Sequence, residues 1–183
     1  MKAVLMLSAT AIAGALALGG CSRDSEPAQM LASLAPAPQI DPANYVQTAG
    51  QSGLFEVEAG KLATRRARSP EVRSFARMMV SDHTEADRKI RSAAMASNPP
   101  IPFPTALDPQ HQETLAALRS VPRTEFDHQY MEGQVEGHRE ALELQQSYGE
   151  SGSDPKLKAV ASELTPIVRH HLDEAQTILS GLR

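Results

Sequence analysis

Four times in this chain a side chain able to cap a helix stands directly before a proline: Asp41-Pro42, Ser69-Pro70, Asp108-Pro109 and Asp154-Pro155. This is the preferred opening of an α-helix. The capping oxygen accepts from an orphan backbone N–H, and proline at the first helical position has no N–H to leave unpaired. Thr124, with Asp127 three residues on, makes a fifth start, a capping box with Asp in place of Glu. These signals predict helices over about 42–66, 70–96, 109–119, 125–147 and 155–181. The stretch SNPPIPFPTALDP (97–109) breaks the chain firmly after the second of them. No segment shows the two-residue alternation of a strand, and aromatics are scarce, with four Phe, three Tyr and no Trp.

A faint internal repeat organises the helices. SPEVRSFA (69–76) matches DPKLKAVA (154–161) in character, and VEAGKLA (57–63) matches VEGHREA (135–141). The chain therefore reads as two related helical hairpins. The connection between them is about 28 residues long and carries the short extra helix. The expected class is all-α, a ferritin-like four-helix bundle of two hairpins with a long middle connection.

The apolar seams of the long helices contain ionisable side chains. In the second long helix Val72, Ala76, Met79, His83, Ala86 and Ile90 recur at helical spacing, with His83 where the pattern asks for Leu or Met. In the last helix Leu157, Ala161, Leu164, Val168, His171, Ala175, Ile178 and Leu182 do the same. His171 falls in the seam and its neighbour His170 on the flank. The third long helix offers Met131, Val135, His138 and Leu142, and the first offers Gln51, Phe55, Glu58 and Leu62. Beside the His138 seam runs a second stripe, Phe126, Tyr130, Gly133, Gly137, Ala141 and Leu144, whose glycines suggest close approach of a neighbouring helix. Measured from the helix ends, Glu58, His83, His138 and His171 all fall within a slab of about 10 Å near mid-bundle.

Two accounts of this constellation compete. In one, each histidine is a neutral core residue bonded to a carboxylate or carbonyl, for which Glu58, Asp87 or Tyr130 are available partners. In the other, Glu58, His83, His138 and His171 ligate a divalent metal ion: zinc, iron, manganese or copper. A ferritin-type di-iron centre would need a Glu three residues before each of two histidines, and those positions hold Val80 and Val168. A mononuclear or vestigial site fits better. Pro166, inside the last helix, should kink or bulge it just before His171. Asp82, Glu85 and Arg88 read as a solvated surface, and Arg65, Arg66 and Arg68 as complements to a helix dipole. There is no nucleophile elbow, glycine-rich phosphate loop or CxxC, so no catalytic residue is assigned. A net charge of −4 and the lack of a basic face argue against nucleic acid.

The N-terminus reads as an export segment. Lys2 precedes a short apolar run that ends in LGGC, with Cys21 the only cysteine. LGGC resembles a bacterial lipobox, which implies a lipoprotein signal peptide over 1–20, cleavage before Cys21 and lipid on its thiol. Ser22, where Asp would imply inner-membrane retention, points to the outer membrane. Loss of Lys2 takes the net charge from −4 to −5. Residues 21–41, rich in Pro, Ala and Ser, read as a flexible tether that at roughly 3.1 Å per residue reaches about 60 Å. The folded domain is expected over 42–183, on the periplasmic side of the envelope and held to the membrane by its lipid.

Three segments carry a family resemblance: VEAGKLATRRARSPEVRSFARMMVSDHTEAD, EFDHQYMEGQVEGHREAL and LKAVASELTPIVRHHLDEAQ. They resemble the bacterial ferritin-like family known as domain of unknown function 4142, over roughly residues 42–181. The resemblance implies a ferritin-like bundle behind an export signal. It matches recurrent histidines to His83, His138 and His171, and a first-helix glutamate to Glu58. It implies no activity and no protein partner. The functional readings are therefore a lipid-anchored metal-binding bundle, a structural or stress-related envelope module with a hydrogen-bonded polar core, and a degenerate di-iron oxidase.

Overall fold

A computed structural model describes residues 40–182, so the signal segment, Cys21 and nearly all of the tether lie outside the described residues. Five helices follow one another: α1 Pro42–Arg66, α2 Pro70–Met95, α3 Pro109–Ser120, α4 Phe126–Ser151 and α5 Pro155–Gly181. All four Asx/Ser-Pro starts are N-caps. The Asp41 side chain accepts from the N–H of Ala43 and Asn44, Ser69 from Glu71 and Val72, Asp108 from His111, and Asp154 from Lys156 and Leu157. Each such cap is worth about 1 kcal/mol.

The Thr124 start is different. The residue before α4 is Glu125, and no side chain caps the helix. Asp127 instead accepts from the backbone N–H of Arg68 (3.0 Å) and Ser69 (2.7 Å), fastening the α1–α2 turn to the start of α4. The orphan N–H groups of that turn compete successfully for the carboxylate. Arg66 also serves a neighbour rather than its own helix. Its guanidinium donates to the carbonyls of Arg119 and Val121 at the end of α3 and lies 4.8 Å over the Phe126 ring. α5 runs unbroken through Pro166, whose exposed position leaves the freed carbonyl open to water.

α1 packs most extensively on α2, and α4 on α5, as the internal repeat suggests; α2–α5 and α1–α4 contacts close the bundle. Tyr45 near the start of α1 donates to Gln145 Oε1 near the end of α4 (2.8 Å), while the end of α1 meets Asp127 at the start of α4. These helices are antiparallel, which makes α2 and α4 parallel. Residues 96–125 must then travel the length of the bundle. They do so along α1: Gln47 and Gln51 donate to the carbonyls of Pro102 (3.3 Å) and Ala106 (3.1 Å), and Arg66 holds the far end. A long crossover between parallel second and third bundle helices is the ferritin-like arrangement.

The apolar core comes in two parts. One contains Phe75, Met79, Phe126 and Met131; the other contains Tyr45, Ile90, Tyr148 and Leu157, with the two tyrosine rings stacked at 4.0 Å. Fully burying each such side chain contributes about 2 kcal/mol. Between Met79 and Ile90 on α2 the seam carries His83, so a polar layer separates the two halves.

The α4 glycines do not serve close helix packing. A Cβ on Gly133 would meet nothing within 4 Å, and one on Gly137 would meet only Glu56 Oε1 at 3.6 Å. The close approach occurs on α1, where a Cβ on Gly60 would fall 2.9 Å from the Ala76 carbonyl oxygen of α2. Among the described residues no helix is long and apolar enough to cross a membrane.

Candidate metal centre

His83 from α2, His138 from α4 and His171 from α5 point into the polar layer, at 8 %, 1 % and 1 % exposure. Their ring centroids are 5.6 Å (83–138), 5.7 Å (83–171) and 5.4 Å (138–171) apart. Each offers a ring nitrogen, and these nitrogens lie within 4.8 Å of one another. Phe75 stands edge-on to His138, 6.3 Å between centroids, and backs the layer with apolar surface. His170 lies outside, exposed and 3.6 Å from Glu174.

Glu58 is not among them. It sits at the surface, its carboxylate 2.8 Å from Lys61 Nζ. The buried carboxylate of α1 is Glu56, which accepts from Gln134 Nε2 of α4 at 2.7 Å. The face that α1 turns inward is Ala49, Gly53, Glu56, Gly60 and Ala63. It has helical 4-3-4-3 spacing but few large apolar residues. The Phe55–Leu62 stripe that selects Glu58 is partly spent on the crossover, where Phe55 packs against the His111 ring of α3 at 5.6 Å. The small-residue stripe was the signal for Glu56.

Two of the three rings are oriented from behind. His138 Nδ1 lies 2.9 Å from the Gln134 backbone carbonyl, which can only accept, so the proton is on Nδ1 and Nε2 carries a lone pair. His171 Nε2 lies 3.1 Å from Asp82 Oδ2, which places the proton on Nε2 and the lone pair on Nδ1. Asp82 is thus not merely solvated surface; its lone signal in the sequence is its position next to His83. Glu85 and Arg88 do pair on the surface, at 2.6 Å. His83 Nε2, His138 Nε2 and His171 Nδ1 are buried without a hydrogen-bond partner.

The electrostatics favour neutral rings at His83 and His171. Burial pushes the His83 imidazolium well below its ordinary range, and the other two rings add to the effect. Burial also pushes His171 down, to about 4, against the upward pull of Asp82. Around the layer, burial pushes the Glu56 carboxyl up while His138 and Gln134 draw it back. Burial likewise raises the Tyr130 hydroxyl, whose oxygen has no partner. Asp87, buried on α2, is raised to about 7 by burial. Neutral imidazoles with free lone pairs are ligand-competent without first losing a proton.

A cavity of about 660 Å³ reaches His83 and His171 from the side of α1 and α4. Val80 and Val168 occupy the positions where a dinuclear site would need carboxylates, and Val168 belongs to the apolar core.

The family model described as "Domain of unknown function (DUF4142)" matches residues 27–178, and the chain belongs to that family. No curated protein matches the chain. Among solved structures the chain is similar to "CopM in the Cu(II)-bound form", with 13 % identity, a TM-score of 0.66, and coverage of 79 % of this chain and 99 % of that one. The Cu(I)-bound form of CopM gives 14 % identity and a TM-score of 0.65, covering 78 % and 98 %. A DUF305 fragment from Deinococcus radiodurans gives 16 % identity and a TM-score of 0.67, covering 80 % and 100 %. At these identities the likeness shows the shared helical-bundle fold.

Proposed function

We propose that this member of the domain of unknown function 4142 family is a metal-binding envelope protein that holds one transition-metal ion through His83, His138 and His171. One observation carries the reading: three imidazoles bring ring nitrogens within 4.8 Å of one another, and each keeps a buried nitrogen without a partner. Tetrahedral ligation at bonds of about 2.0 Å needs nitrogens about 3.3 Å apart, a closure that tilting of the rings supplies. The carboxylate behind His171 and the carbonyl behind His138 are the usual supports of metal-bound histidine.

The donor set narrows the ion. Imidazole suits zinc, copper and iron, whereas manganese prefers oxygen ligands. Copper heads the affinity order for such ligands, and CopM, a protein of the same fold, has structures in Cu(II)- and Cu(I)-bound forms. Copper(II) is therefore the ion to test first. No catalytic step is assigned. A second reading, a polar layer that only fixes helix register, is favoured by the Asp82–His171 and Gln134–His138 bonds, which need no metal. It leaves the three unpartnered nitrogens without a role.

Elemental analysis of the untagged protein, purified without added metal, separates the two. About one ion per chain is expected in the wild type and none in His83→Ala/His171→Ala. Sub-stoichiometric metal in both would sink the metal reading. The envelope location rests on LGGC and Cys21: Cys21→Ser is expected to leave the protein unprocessed or released from membranes, and normal membrane attachment of that variant would reject lipidation.

A further inference from the structure

The cavity that reaches His83 and His171 is larger than a metal ion needs; at about 660 Å³ it is of small-molecule size. Gly133 and Gly137 form part of its wall. A glycine inside a helix costs about 1 kcal/mol relative to alanine, and two of them one turn apart are normally offset by close packing. Here no packing offsets them, because the positions a Cβ would take are open space at Gly133 and ordinary contact distance at Gly137. What larger side chains at these positions would consume is cavity volume beside the histidines.

The wall also has a definite chemistry. Five carboxylates line it (Asp82, Asp87, Asp108, Glu136 and Glu140) and no Lys or Arg does. Most of the remaining lining near the histidines is apolar, including Ala86, Ile90, Leu144 and Leu164. Such a wall repels anions and admits neutral molecules. Asp87 also lines the cavity, but its unpartnered Oδ1 is turned against the backbone of Gly53 on α1. A three-imidazole site leaves one coordination position for a further ligand.

We infer that a metal ion held by the triad takes its fourth ligand from a small neutral nitrogen donor of the azole or amine class, which enters by the cavity walled by Gly133 and Gly137. The inference rests on the metal-binding reading. The donor lone pair forms a dative bond to the metal and displaces water, with no change of oxidation state. The donor's apolar body lies against the aliphatic wall.

The test uses the copper(II)-loaded protein at about pH 8, where free imidazole is mostly neutral. The copper spectrum is followed during titration with imidazole and, separately, with azide. A saturable spectral shift with imidazole is expected, at a concentration at least tenfold lower than azide requires, with copper remaining at one per chain. Gly137→Leu and, as a second variant, Gly133→Leu should bind the same amount of copper yet weaken the imidazole response at least tenfold. One bound copper with a spectrum indifferent to imidazole would overturn this inference and leave the metal reading standing. So would copper stripped in proportion to the imidazole added, or an undiminished imidazole response in both leucine variants. Failure to load copper at all would overturn the metal reading and this inference with it.

Discussion

Replacing Gly133 or Gly137 by alanine should make the metal-free protein more stable, and the same change at Gly60 should make it less so. All three are in helix interiors, so each substitution gains about 1 kcal/mol from reduced backbone freedom in the unfolded chain. The outcome then turns on what the new methyl meets. At Gly133 it meets nothing within 4 Å, and at Gly137 it meets Glu56 Oε1 at 3.6 Å, so most of the gain survives. In a domain of this size that is roughly a 3 °C rise in Tm for each variant. At Gly60 the methyl would lie 2.9 Å from both the Ala76 carbonyl oxygen and Val80 Cγ2, within the closely packed α1–α2 pair. Overpacking of that kind costs about 1–3 kcal/mol and outweighs the gain. Urea unfolding followed by far-UV circular dichroism, with equal slopes across the series, reads the differences directly. Destabilisation by Gly133→Ala and Gly137→Ala would mean that another element fills the cavity beside α4, and would refute the reasoning. A neutral Gly60→Ala would refute the close α1–α2 approach.

Three further outcomes follow from the same geometry. Asp82→Asn removes the carboxylate behind His171 and should weaken metal affinity about 10–100-fold at unchanged stoichiometry, read by calorimetric titration. Glu58→Gln should change neither metal binding nor stability by more than about 0.5 kcal/mol, because its pairing with Lys61 is an exposed one. The metal-free protein should lose stability as pH falls from about 6.5 to 4: the unfolded chain takes up a proton on His171 that the folded ring, held down to about 4, refuses. That loss approaches 3 kcal/mol for this residue, is absent above about pH 6.5, and should be flattened in His171→Asn when unfolding is measured across the range.

The fold was legible because local signals agreed with one another. Four proline-preceded caps, a proline-rich break and three seams of large apolar residues all point to one helical bundle, and each rests on interactions within a few residues of chain. The three histidines were legible for the same reason: each interrupts a strong 3.6-residue pattern. Glu58 was misassigned because α1 turns a face of Ala and Gly towards its partners, and its larger apolar residues are shared with a crossover whose path no local signal encodes. Asp82 was missed because its partner lies 89 positions away on another helix. Thr124 failed as a cap because the Asp127 carboxylate meets orphan N–H groups at the α1–α2 turn, again a contact between distant segments. The glycines of α4 were read correctly as special but for the opposite reason, since a gap and a close contact ask for the same residue.

The polar layer itself bears on function. An unpartnered buried nitrogen costs about 1–3 kcal/mol, so three of them take several kcal/mol from a domain whose net stability is of order 5–15 kcal/mol. Apolar side chains would join the two core halves at no such cost, and buried polar groups are frequently replaceable by apolar ones without loss of a unique fold. A role confined to fixing helix register is therefore a weak account of this layer. A ligand that binds only the folded state changes the balance, because every tenfold excess over its dissociation constant returns about 1.4 kcal/mol. On the metal-binding proposal, the layer costs stability in the metal-free bundle and would add to it once an ion is bound. The two core halves flank the layer, and Gln134 and Asp82 already brace His138 and His171 within it.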